Sequence, residues 1–192
     1  QDPAIIALTG VAGLLAGAFS MAAGEYVSVR SQREMFEYQI GLERDELEKY
    51  PQEEAAELAL IYAAKGMTPE EARRVADTLM QDPDRALDTL AREELGLNPD
   101  ELGSPWVAAL SSFAAFTAGA ALPLLPFLFS SGRIALLESI ALTTVGLFAV
   151  GASMSLFTGR HAVLSGLRML GIGGAAGLAT YFIGAWLGVS LG

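Results

Sequence analysis

The sequence predicts an all-α, polytopic membrane protein, with four spans in this chain and an acidic helical domain inserted after the first. Three observations carry this. Apolar residues make up 52% of 192, with mean hydropathy +0.41, more than an ordinary soluble domain of this length. They are clumped into three blocks, Pro3 to Val29, Pro105 to Phe129 and Ile134 to Leu191. Between the first two blocks lies a polar insert from Arg30 to Gly103. A span takes about 20 mostly apolar residues. The first and second blocks supply one each, and the third, interrupted at Thr158-Gly159-Arg160-His161, supplies two. The expected domains are a first span at 1–29, the insert at 30–103, and three further spans within 104–192, at about 104–129, 134–157 and 162–191.

Each element follows from local chemistry. The first span is rich in small residues, and Gly13 to Gly17 forms a small-xxx-small pattern that lets helices approach closely. No breaker separates it from Val27 to Glu48, so one long helix is expected to leave the membrane. Pro51 ends it. Gln52 to Ala64 reads as a second helix closed by Lys65-Gly66. Thr68-Pro69-Glu70-Glu71 is a helix start, with Thr68 as N-cap, Pro69 at N1 and Glu71 at N3. That helix runs to about Met80. Another starts at Asp82 or Asp84 and ends at Gly96, and Asn98-Pro99-Asp100 begins the return to the membrane. Pro123 and Pro126 are expected to bend or unwind the end of the next span. Ser130-Ser131-Gly132-Arg133 is a tight turn, and the last span is dense in glycine, which suits close packing.

Charge locates the chemistry. Of 22 acidic residues only Asp2, Glu25 and Glu138 lie outside the insert. Of 12 basic residues only Arg133, Arg160 and Arg168 do, so the insert carries the entire net charge of −10. Nucleic acid is thereby excluded as a partner, because phosphate neutralisation needs a basic surface. Cations are favoured. The chain has no cysteine and one histidine, which excludes disulfides, thiolate sites and His-rich sites. A bound metal must take carboxylates, with methionine, carbonyls or water, which points to hard or borderline divalent ions. The first block is too long, and lacks the basic leader, for a typical signal peptide. No Walker loop, dinucleotide fingerprint or nucleophile–base arrangement is present, so the sequence reads as neither an ATP-driven pump nor an enzyme. The short Arg160 loop and the Lys/Arg-bearing insert fall on one side if each block spans once, and the positive-inside rule makes that side cytoplasmic.

Two Glu-x-x-Glu pairs stand out. Glu43 with Glu46, and Glu54 with Glu57, each place two carboxylates on one helix face, and the Pro51 turn folds the two helices back on each other. Glu93 and Glu94 end the last insert helix and can join them. A solvated acidic face has the same spacing. Glu25, near the cytoplasmic end of the first span, is an ionisable group at membrane depth, with Met21 one turn earlier on its face. Glu138 lies nearer the opposite interface. His161, beside Arg160 in a basic loop, suits a phospholipid surface better than metal ligation.

Three stretches together resemble the vacuolar iron transporter family: Ala16 to Val29 (AGAFSMAAGEYVSV), Pro123-Leu124-Leu125-Pro126, and Gly166-Leu167-Arg168-Met169-Leu170 with its glycine-rich sequel. The resemblance covers the chain from the family's second span to its fifth. It implies a five-span dimer with a cytoplasmic three-helix metal-binding domain. Such a protein moves Fe²⁺, and in some members Mn²⁺, in exchange for protons. It places the family's metal-site glutamates at Glu43, Glu46, Glu54, Glu57 and Glu94, and a pathway methionine at Met21, with Glu25 beside it. It also marks departures. Two family methionines fall on Leu90 and Ala91, and a pathway glutamate falls on Gly13. Related bacterial proteins join this module to an N-terminal ferritin-like domain, which makes a bacterial inner membrane the expected location and a vacuolar membrane the alternative. Expected partners are divalent metal, protons, membrane lipid and a second copy of the chain. The rival reading is a membrane-anchored dimer that buffers or senses metal without transporting it. Ferroxidase chemistry is disfavoured, because the insert has no histidine.

Overall fold

The computed structural model describes residues 3–188. The last positions of the expected fifth family span, through Leu191, lie outside the described residues. Every regular element is helical: α1 (Pro3–Lys49), α2 (Pro51–Ala64), α3 (Pro69–Leu79), α4 (Pro83–Glu93), a 3₁₀ turn (Pro99–Glu101), α5 (Pro105–Phe129), α6 (Gly132–Thr158) and α7 (Ala162–Trp186). Helices α1, α5, α6 and α7 are long and apolar enough to cross a membrane, and the chain is an integral membrane protein. At 47 residues, α1 extends for about 70 Å. That is more than twice the length one span uses, about 20 residues, and the residues from Arg30 onward are rich in charge.

The chain divides into two compact units, one of residues 1–22 and 111–192, the other Ala23–Leu110. In the first, glycines let helices meet. A Cβ added at Gly151 of α6 would lie 2.6 Å from the Ser165 carbonyl oxygen and 2.9 Å from Gly166 Cα of α7. The two backbones therefore touch. Gly159, with φ 65°, caps α6 in the left-handed region and turns the chain into α7. The glycines of α1 serve differently from the expected backbone approach. Gly17 receives the Phe116 ring and Gly10 receives Leu124, both from α5, while Gly13 has no neighbour within 4 Å of a Cβ. Phe19 and Phe113 add an edge-to-face contact at 5.2 Å. Pro123 and Pro126 lie within α5, which stays helical to Phe129 rather than unwinding. Pro126 is only three residues from the helix end, and its carbonyl accepts from Ser130 N–H. Ser139 of α6 donates to the Pro123 carbonyl at 2.8 Å.

In the second unit, α2 packs on α3, and both meet α4. Their starts are chemically specified. Pro51 opens α2, Thr68 and Glu71 form a reciprocal capping box for α3, and Asp82 caps α4 through the Asp84 and Arg85 amides. The core is small: Leu58, Ala76 and Leu90 are fully buried, with Leu47, Ala59, Tyr62, Leu79 and Met80 around them. Ion pairs Arg30–Glu34, Arg33–Glu37 and Asp45–Lys49 run along α1 at i,i+4 spacing.

Because Gly151 has no room for a methyl group, Gly151→Ala is expected to destabilise the detergent-solubilised protein by about 1–3 kcal/mol. Gly171→Ala on α7, where a Cβ meets nothing within 4 Å, is expected to cause no loss. Thermal unfolding of the two variants side by side checks this. Equal melting temperatures would contradict the close approach.

Candidate metal centre

Three of the four leucines in or against the core sit one helical turn from a glutamate. Leu47 follows Glu43 on α1, Leu58 follows Glu54 on α2, and Leu90 precedes Glu94 at the end of α4. Residues four apart share a helix face. Packing the leucines together therefore brings the carboxylates together at the edge of the same core. One oxygen from each of Glu43, Glu54 and Glu94 lies within 4.8 Å of the other two. Glu94 is held as the C-cap of α4, its N–H bonded to the Leu90 carbonyl. Just beyond it, Gly96 at φ 66° reverses the chain.

The surroundings provide no positive charge to this group. Glu43 and Glu54 are 3% and 6% exposed, and Glu43 Oε1 and Glu54 Oε2 are buried without a hydrogen-bond partner. Among the described residues no lysine or arginine lies within ion-pair distance of Glu43, Glu54 or Glu94, and Arg30, Arg33, Lys49, Lys65 and Arg92 pair with other carboxylates. Burial pushes the Glu43 carboxyl up to about 8, with the negative charges of Glu94 and Glu54 adding to it. Burial also raises Glu54, opposed by a hydrogen bond with Glu43 and helped by the charges of Glu57, Glu94 and Glu46. Glu94 is raised by burial and then by the charges of Glu57 and Glu46. Oxygens on opposite sides of a small divalent ion stand about 4.2 Å apart. The observed spacing needs only a small inward movement to enclose one.

Of the five insert glutamates singled out by sequence, three converge. Glu46 and Glu57 are exposed and act on the group through their charge. Glu93 is tied to Lys65, so of the adjacent pair only Glu94 enters. Leu90 and Ala91 are fully buried, and the group offers oxygen donors alone. Met21 is 48% exposed and Glu25 is exposed, one turn apart on α1. Gly13 lines a cavity of about 310 Å³ with Gly10, Phe116, Pro123, Leu124 and Ser139. Two hydroxyls escaped the sequence reading, which looked for ionisable groups: Thr117 of α5 and Thr143 of α6 are buried without a partner.

Comparison with known proteins places this arrangement in context. Residues 1–185 match the VIT family. The chain is 34% identical over 181 residues to vacuolar iron transporter 1 of Oryza sativa subsp. japonica, covering 93% of this chain and 72% of that protein. It is 36% identical over 174 residues to the vacuolar iron transporter of Acanthamoeba castellanii, covering 91% and 66%. It is 32% identical over 178 residues to vacuolar iron transporter 1 of Arabidopsis thaliana, covering 92% and 71%.

The raised carboxyls make the acidic unit pH-sensitive in a defined direction. Between 4.5 and about 8 the folded chain keeps a proton on Glu43 that the unfolded chain has lost. Stability of the metal-free protein is therefore full below that window and falls as pH rises through it. Metal binding must displace the proton, so affinity rises over the same window. Glu43→Gln is expected to flatten the fall in melting temperature. Thermal scans of both proteins across the window check this, and a wild-type melting temperature independent of pH would contradict it.

Proposed function

The chain belongs to the VIT family, and we propose that it carries Fe²⁺, and Mn²⁺ as a second substrate, across its membrane, with Glu43, Glu54 and Glu94 as the capture site. The observation that carries this reading is the convergence of these carboxylates, two of them buried, with no cationic partner. Such a group is costly when ionised and gains most from a bound cation. The names of the relatives, all iron transporters, support iron as the ion. Glu46 and Glu57 act as outer carboxylates that attract the ion and neutralise its charge. The oxygen-only donor set favours hard or borderline divalent ions over soft ones.

In this reading residues 30–103 form a cytoplasmic metal-binding domain and the flanking segments, 1–29 and 104–192, form the membrane part. Met21 and Glu25 lie along the ion's route in a homodimer, and transport is coupled to counter-movement of protons. A bacterial inner membrane is the proposed location. One observation favours a second reading, a metal-binding dimer without transport: Gly13 stands where the family resemblance calls for a carboxylate, and the cavity it lines has no ionisable side chain.

One measurement tests the site and a second separates the two readings. Glu54→Ala is expected to weaken Fe²⁺ or Mn²⁺ binding by at least about tenfold, on the order of 1.4 kcal/mol, and Glu57→Ala by less, because its side chain is exposed. Calorimetry on the purified full chain checks this, and unchanged affinity in Glu54→Ala would reduce the cluster to a solvated acidic face. In proteoliposomes the wild type is expected to take up Fe²⁺ under a proton gradient. Binding without flux under a gradient of either sign would establish the second reading.

A further inference from the structure

The α6–α7 hairpin brings Arg160 and Arg168 together, and among the described residues neither is in an ion pair. Two cavities, of about 230 and 280 Å³, share Arg160, Ser165 and Arg168 in their walls. The first extends over Met154 and Thr158 of α6, the second over His161 and Leu164. The smaller has roughly the volume of seven water molecules, ample for a phosphate group. Among the described residues neither arginine has a carboxylate within ion-pair distance. The sole described carboxylate of this unit is Glu138, twenty residues before Thr158 on α6, about 30 Å away along the helix. Arg168 stands six residues into α7, about 9 Å from its start, and so lies at the level where a span meets the headgroups.

The geometry is fixed from below. The contact of Gly151 with the Ser165 carbonyl and Gly166 locks the two helices together and sets where Ser165 and Arg168 face the end of α6. Leu164, 67% exposed, lines the second cavity, and Leu156 and Phe157 in the last turn of α6, 82% and 91% exposed, add apolar surface suited to acyl chains. Guanidinium groups that share a pocket repel one another, and a bidentate oxyanion relieves this. Basic pockets between membrane helices have this use.

We propose that Arg160 and Arg168, with the Ser165 hydroxyl, hold the phosphate of an anionic phospholipid headgroup in the α6–α7 hairpin. The lipid anchors the hairpin to one leaflet and fixes the depth of both spans. This role is separate from the carboxylate centre of the other unit.

The test uses the full chain in detergent, with native mass spectrometry of bound phosphatidylglycerol against phosphatidylcholine, and inorganic phosphate in a separate thermal-shift arm. Phosphatidylglycerol is expected to bind in preference. The double variant Arg160→Gln/Arg168→Gln is expected to bind it about thirty-fold more weakly, near fivefold for each arginine. Arg160→Lys/Arg168→Lys is expected to retain most of the binding. Unchanged helix content by circular dichroism in both variants shows that the chain remains folded. Equal binding of phosphatidylglycerol by the wild type and the glutamine variant, or loss in the lysine variant as complete as in the glutamine one, would overturn the proposal. Arginine-dependent stabilisation by inorganic phosphate without a preference for phosphatidylglycerol would overturn the lipid as its source.

Discussion

Two buried carboxylates brought within 4.8 Å of each other are costly to ionise together without a cation between them. At that distance the repulsion between Glu43 and Glu54 is about 3 kcal/mol for an effective dielectric of about 20. Burial adds a desolvation cost to each. What holds the helices together against this is apolar: Leu58 and Leu90 are fully buried, and each such side chain contributes about 1.5–3 kcal/mol. The same leucines, one turn from the glutamates, set where the carboxylates fall. The core and the charge cluster are thus one construction, with a proton or a divalent ion as the alternative means of satisfying it. In the proposed function, exchange of one for the other is the elementary event behind both metal capture and its pH dependence.

The membrane part rests on a different principle. Lipid offers no hydrophobic drive for helix association, so close packing has to supply it. Gly151 against Ser165 and Gly166 does so between backbones, while Gly10 and Gly17 accept side chains of α5. Gly13 is left open beside a cavity. An open, uncharged wall at that position is compatible with passage of an ion that finds its ligands elsewhere. It is equally what a protein that only binds metal would show, which is why flux decides between the readings of function and packing does not.

Much of this was legible in the chain. The spans followed from apolar clumping, and the helix starts followed from Thr68-Pro69-Glu70-Glu71 and from the Asp82-Pro83-Asp84 stretch, of which the structure makes Asp82 the cap. The uninterrupted α1 followed from the lack of a breaker before Pro51. The acidic candidates followed from Glu-x-x-Glu spacing and from the family resemblance. Spacing could not rank them. Glu43 and Glu46 share a face at the level of local geometry, yet only Glu43 is buried, because burial is decided by what α2 and α4 bring against that face. Glu93 and Glu94 are neighbours in sequence but point about 100° apart on a helix, and Lys65, from a distant turn, takes the first. The persistence of α5 through Pro123 and Pro126 was also beyond local rules, which register only the missing N–H groups.

The central claim is that Glu43, Glu54 and Glu94 enclose one divalent ion. Anomalous diffraction from crystals of the full chain soaked in Fe²⁺ or Mn²⁺ tests it most directly. The account predicts a single strong peak about 2.1 Å from an oxygen of each of the three carboxylates. A peak elsewhere in the acidic unit, or none in crystals whose acidic unit is well ordered, would contradict it.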